Sequence, residues 1–108
     1  MIKSTGLTAI VLARKEPFYQ WLRQANRAAM VTDADNHFEG DHSTYLVKDI
    51  VTRKEVDDFI LRNYLALLEN ELQQWHDRAF WPEGLTPALF YEFFEVEVNR
   101  EVYEVNEE

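Results

Sequence analysis

Residues 52–78 constrain this chain more than any other stretch, because a helix-start signal there opens one long amphipathic run. Thr52-Arg53-Lys54-Glu55 has the form of a capping box, in which the Thr52 hydroxyl accepts from the Glu55 N–H and the Glu55 carboxylate reaches back to the Thr52 N–H. Downstream, Val56, Phe59, Ile60, Tyr64, Leu67, Leu68, Leu72 and Trp75 recur at three- and four-residue spacing, and Leu61 and Leu65 widen the stripe. The pattern predicts a helix over 53–78, about 40 Å long at a rise of ~1.5 Å per residue. A domain of this length has an expected radius of gyration of about 13 Å, so such a helix spans the whole fold or projects from it. One small sheet would not cover all of its stripe. Some of Leu61, Leu65, Leu72 or Trp75 is therefore expected to meet a second copy of the chain, as a homodimer.

The remaining elements follow from shorter signals. Leu7–Ala13 is apolar with β-branched residues at its centre, the pattern of a strand buried on both faces. Glu16-Pro17 begins a helix over 17–29, since proline at the first helical position gives up an N–H that lacks a partner in any case. Met30–Thr32 reads as a brief strand, and Ser43–Ile50, with mixed faces, as an edge strand. Trp81-Pro82-Glu83-Gly84 is a turn, and Thr86-Pro87 caps a short helix over 87–93. Phe94, Val96 and Val98 then alternate with Glu95 and Glu97, predicting a strand over 94–105 with one wet face. Apolar parity shifts to Tyr103 and Val105, which predicts a bulge or sharp twist near Asn99. The expected fold is one domain, 1–108, of the α/β (α+β) class. About three strands, near 7–13, 43–50 and 94–105, pack on one long and one or two shorter helices, with the direction of the sheet left open.

Charge narrows the function classes. The net charge of −9 is uneven: residues 1–32 hold five bases against one acid, whereas residues 92–108 hold seven acids against one base. Nucleic-acid affinity is built from clustered Lys and Arg, so a phosphate-backbone binder is not expected. No apolar run approaches the ~20 residues that span a bilayer, so no membrane partner is expected. With no cysteine there is no disulfide framework, thiolate metal site or cysteine nucleophile, which fits a reducing cytoplasm.

Catalytic signatures are sparse. The only serines, Ser4 and Ser43, lack a nucleophile elbow, and the three glycines form no phosphate-cradling loop. Glu69 and Glu71, two apart on a helix, cannot form a carboxylate dyad and are expected to be solvated. His76 is expected to favour the helix dipole, and Trp21, Trp75 and Trp81 to fill the core. The densest set of potential ligands is the loop Asp33–His42. A calcium-loop register beginning at Asp33 meets Phe38 where a glycine is needed and Thr44 where a bidentate Glu is needed. Asp33, Asp35, His37, Asp41 and His42 remain the candidates for a metal-assisted enzyme or small-ligand binder.

Glu69-Asn70-Glu71-Leu72, Trp75, Trp81-Pro82, Thr86, Phe90, Phe93-Phe94, Val96-Glu97 and Val102 together resemble a pattern in small bacterial proteins of unassigned function, over roughly residues 55–105. The resemblance implies a free-standing bacterial protein and no activity. The leading expectation is a non-catalytic, cofactor-free interaction or regulatory protein of the cytoplasm, binding a basic protein partner. Its interaction face is expected to comprise Glu95, Glu97, Glu101, Leu61 and Leu65. A further alternative is acidic mimicry of nucleic acid by the C-terminal carboxylates.

Overall fold

The computed structural model describes residues 1–31 and 42–107. In chain order the elements are β1 (Ile2–Ser4), β2 (Thr8–Arg14), α1 (Glu16–Ala28), β3 (His42–Val47), α2 (Arg53–Gln73), a 3-10 turn (Arg78–Phe80), α3 (Pro87–Phe93), β4 (Phe94–Asn99) and β5 (Tyr103–Val105). Among the described residues these form an α+β fold with two antiparallel sheets, one of three strands in the order β3-β2-β4 and one ribbon of β1 and β5. The predicted strand over 94–105 is thus two strands in different sheets. Its ribbon partner β1 had no signal in the sequence reading.

The side-chain period of two divides the central sheet sharply. Ile10 and Leu12 of β2, Tyr45 and Val47 of β3, and Phe94, Val96 and Val98 of β4 all belong to or pack against one core cluster, together with Phe18, Leu22, Ile60, Leu67, Leu68 and Phe90 from the helices. Ala9, Val11 and Ala13 have the opposite parity and face away from that cluster. The expectation that β2 is buried on both faces therefore holds only in part. The described helices cover one face, and on the other Ala9 is buried while Val11 and Ala13 are half-buried. With dimensions of 47 × 36 × 20 Å, the body is thin enough for one helix layer on one sheet.

Local signals set the helix boundaries. The capping box forms as expected, with Glu55 N–H donating to Thr52 Oγ1 and Thr52 N–H donating to Glu55 Oε1, each at 3.2 Å. Helix α2 ends at Gln73, earlier than predicted, and is about 32 Å long at ~1.5 Å per residue. Its last turn closes on one carbonyl: Trp75 and His76 both donate to Leu72 O at 3.1 Å, which turns the two rings aside. Asp77 then caps the 3-10 turn by accepting from Ala79 N–H at 3.1 Å. At the end of α1, Met30 stands at φ 60°, Val31 N–H donates to Asn26 O at 2.8 Å, and Met30 N–H donates to Arg27 O at 3.2 Å. That is a Schellman stop at Met30 and Val31, where the sequence suggests the start of a brief strand over Met30–Thr32; Thr32 lies outside the described residues.

The parity change is real, but the extra residue lies on the other chain segment. Inside the central sheet Ala9 opposes Asn99, whereas in the ribbon Ser4 opposes Tyr103. Residues 5–8 therefore face only residues 100–102, and the surplus is absorbed at Gly6, whose φ of 69° suits glycine.

Candidate interaction face and buried polar clusters

On the side of the sheet that no described helix covers, the register makes three cross-strand rows: His42–Ala13–Glu95, Thr44–Val11–Glu97 and Leu46–Ala9–Asn99. The centre is low and apolar because β2 contributes two alanines and a valine. Its β4 border carries two exposed carboxylates, Glu95 and Glu97, about 7 Å apart along the strand. On the β3 border Leu46 is 55 % exposed. An antiparallel sheet with one solvated face usually shows polar residues throughout, so a depressed apolar strip beside fixed acids is a recognisable landing surface.

The five residues expected to share one face fall on three surfaces. Glu95 and Glu97 stand together on the open sheet. Glu101 is exposed in the turn after β4, where its N–H donates to Asn99 Oδ1 at 3.1 Å, and it does not extend the strand's carboxylate row. Leu61 and Leu65 are 62 % and 45 % exposed on α2, in the helix layer behind the sheet. Of the ligand candidates, Asp33, Asp35, His37 and Asp41 lie outside the described residues, and His42 opens β3 with an exposed side chain. Among the described residues, no three His, Cys, Asp or Glu side chains converge in a way that could hold a metal ion.

The most concentrated chemistry is buried and was not anticipated. Glu71, expected in solvent, is fully buried on α2. Its Oε1 accepts from Ser43 Oγ at 2.9 Å and lies 3.5 Å from Arg14 Nη2, while its Oε2 accepts from the Tyr45 hydroxyl. Asn70 Nδ2 donates to Tyr45 Oη at 2.9 Å, and Arg14 Nη2 donates to Ser43 Oγ at 3.2 Å. The Arg14 guanidinium also lies over the rings of Phe18 and Trp75, 5.6 and 5.7 Å from their centroids. A signal for this cluster existed. Position 71 falls three after Leu68 and four after Leu67, on the buried stripe, and Arg14 has the core-facing parity of Ile10 and Leu12.

Burial, followed by the hydrogen bond to Glu71, pushes the Tyr45 hydroxyl well above its ordinary value, so it stays a neutral donor at physiological pH. Both carboxylate oxygens of Glu71 are engaged by donors. The arrangement joins α2 to β2 and β3 as a polar pin in which Arg14 Nε is buried without a hydrogen-bond partner among the described residues, while Glu71 has no unsatisfied carboxylate oxygen to act as a general base.

A second cluster gathers around His76, expected to favour the dipole at the end of α2. The residue follows that end and is buried, with Nε2 2.6 Å from Asn26 Oδ1 and its ring edge-on to Trp21. Trp81 Nε1 donates to His76 O at 2.8 Å and Trp21 Nε1 donates to Phe80 O at 3.0 Å. Trp21 therefore belongs to the core, with Trp75 and Trp81 packed against it, and the ring N–H groups of Trp21 and Trp81 tie the 3-10 turn to α1 and to the end of α2.

No family model, curated protein or solved structure matches the chain. Among the described residues, no helix is long and apolar enough to cross a membrane.

Proposed function

We propose that this chain is a non-catalytic protein-interaction module whose open sheet face binds a basic protein partner. The observation that supports it best is the exposed pair Glu95 and Glu97 beside the low strip of Ala9, Val11 and Ala13, in a chain of net charge −9. Fixed acids around an apolar floor attract Lys- and Arg-bearing surfaces, speed encounter and lose effect as salt rises. A bacterial, cytoplasmic setting is part of the same proposal; it rests on the sequence resemblance and on the cysteine-free composition.

The test replaces Glu95 and Glu97 by Gln. A partner is recovered on the parent protein, identified and purified, and its affinity is then measured for both proteins across a salt series. The parent is expected to bind at least about tenfold more tightly, with the difference shrinking at high salt. Equal affinities would overturn the assignment of this face. Association of two copies through Leu61 and Leu65 belongs to the proposal as a separate surface, supported by their exposure at helical i, i+4 spacing. Sedimentation of Leu61→Lys against the parent checks it, and a parent that stays monomeric at high concentration would remove it.

A further inference from the structure

We propose that the outer edge of β4, unpaired among the described residues, is a strand-addition site for an extended basic peptide. Its lysines or arginines would stand beside Glu95 and Glu97, and its alternate apolar side chains would face the helix layer. The inference rests on the reading of Glu95 and Glu97 given above and adds the mode of binding.

The direction of the backbone groups follows from one hydrogen bond. Lys15 N–H donates to Phe93 O at 2.8 Å, in the same register that pairs Ala13 with Glu95, Val11 with Glu97 and Ala9 with Asn99. In an antiparallel ladder alternate pairs exchange their N–H···O bonds, so these odd-numbered residues of β4 bond inward to β2. The N–H and C=O groups of Val96 and Val98 consequently point outward, and they have no backbone partner among the described residues. Phe94 N–H is already taken by Phe90 O, which fixes where the open edge begins.

Beside that edge lie two hollows, of about 480 and 250 Å³, both lined by Arg53. The first is bordered by Phe94 and Val96 and the second by Val98 and Arg100, so they follow one another along the strand. An added strand would place every second side chain over these hollows and the others beside the two glutamates. On the hollow side Phe94, Val96 and Val98 offer apolar contact, and Arg53 there is already paired with Asp57 at 3.4 Å. Glu95, which also borders the first hollow, and Glu97 supply the carboxylates, so the apolar parity of the peptide is drawn to the valines and its basic parity to the glutamates.

A second copy of this chain fits the edge poorly. A two-fold axis pairing β4 with β4 in one continuous sheet sets Glu95 against Glu97, or each against itself, and like charges directly opposite are unfavourable. An edge guarded in this way resists self-pairing and accepts a strand of opposite charge.

The probe is a capped hexapeptide of alternating lysine and valine, titrated into the intact chain and followed by tryptophan fluorescence. Because the Val96 N–H lies outside the β2 ladder, Val96→Pro preserves the sheet while removing one outward donor, and Val96→Ala trims the side chain but keeps that donor. The expected result is a loss of about tenfold or more for Val96→Pro, less than about threefold for Val96→Ala, and about tenfold for Glu95→Gln/Glu97→Gln. If Val96→Pro binds as tightly as Val96→Ala, strand addition is overturned while the glutamate dependence still supports the face. Should the glutamate variant match the parent, the face itself fails. Absence of peptide binding by the parent overturns strand addition and leaves the partner experiment to judge the wider reading. If Val96→Pro does not unfold cooperatively, the same hexapeptide N-methylated at alternate residues replaces it, and undiminished binding of both methylation registers counts against the ladder.

Discussion

Arg14 Nη2 lies 3.5 Å from Glu71 Oε1, and the two side chains are 7 % and 0 % exposed. A buried ion pair of this kind adds little net stability compared with well-packed apolar residues, but it is costly to break from one side. Glu71→Ala is expected to lower unfolding stability by about 3–5 kcal/mol in urea, because the Arg14 charge is left without its counterion. The double variant Arg14→Met/Glu71→Leu should recover most of that loss. Full additivity of the two single changes would show that the charges act independently.

Tyr45 supplies an alkaline signature. Its hydroxyl is held above the ordinary value of 10.0, by burial first and by the Glu71 hydrogen bond second, so above that pH the unfolded chain releases a proton that the folded chain retains. Stability from this group is intact below pH 10.0 and falls as pH rises beyond it. Tyr91 is raised in the same direction, by burial and then by Asp57 against Arg53, but it is 42 % exposed and contributes less. Tyr45→Phe should flatten the alkaline fall in melting temperature; an unchanged slope would place the titration elsewhere.

The two sides of α2 should respond differently to the same truncation. Leu68 is fully buried and Leu61 is 62 % exposed. Leu68→Ala is expected to cost about 2–5 kcal/mol in denaturant unfolding of the monomer, and Leu61→Ala about half a kcal/mol or less. Comparable losses would mean that Leu61 is covered.

Met30 marks a position where stability is open to improvement. It closes α1 at φ 60° with its side chain 91 % exposed, so a Cβ there brings strain without packing. Met30→Gly should raise stability by about 1 kcal/mol, despite the greater backbone entropy of glycine in the unfolded chain. A loss on this substitution would place the residue outside the left-handed region.

The features legible in the sequence are those completed within a few residues. The Thr52–Glu55 box, the proline start of α1, the Thr86 cap and the alternation from Phe94 to Val98 each carry their own partners nearby. What escaped depends on residues far apart in the chain. The early end of α2 is locked by His76 meeting Asn26, β1 exists through β5, and the Gly6 bulge appears only when two registers are compared. Glu71 escapes for a different reason: its charge suggests solvent, whereas its place on the stripe points inward, where Arg14, Ser43 and Tyr45 surround the carboxylate. The alternation around Glu95 and Glu97 marks a wet face in the sequence, whereas separating it from Leu61 and Leu65 requires knowing which side of the sheet the helices occupy.

No residue separates α3 from β4: Phe93 is the last of the helix and Phe94 the first of the strand. Both are buried, and the Phe93 ring lies 5.7 Å from Phe18 and 6.3 Å from Trp21. Without a flexible joint to take up slack, a small displacement of the strand becomes a tilt of the helix. The strand, about 20 Å long at ~3.3 Å per residue, and the helix, about 10 Å at ~1.5 Å per residue, thus meet as two stiff arms at a corner beside Phe18 and Trp21, where the Trp21 indole is placed to report a shift of either.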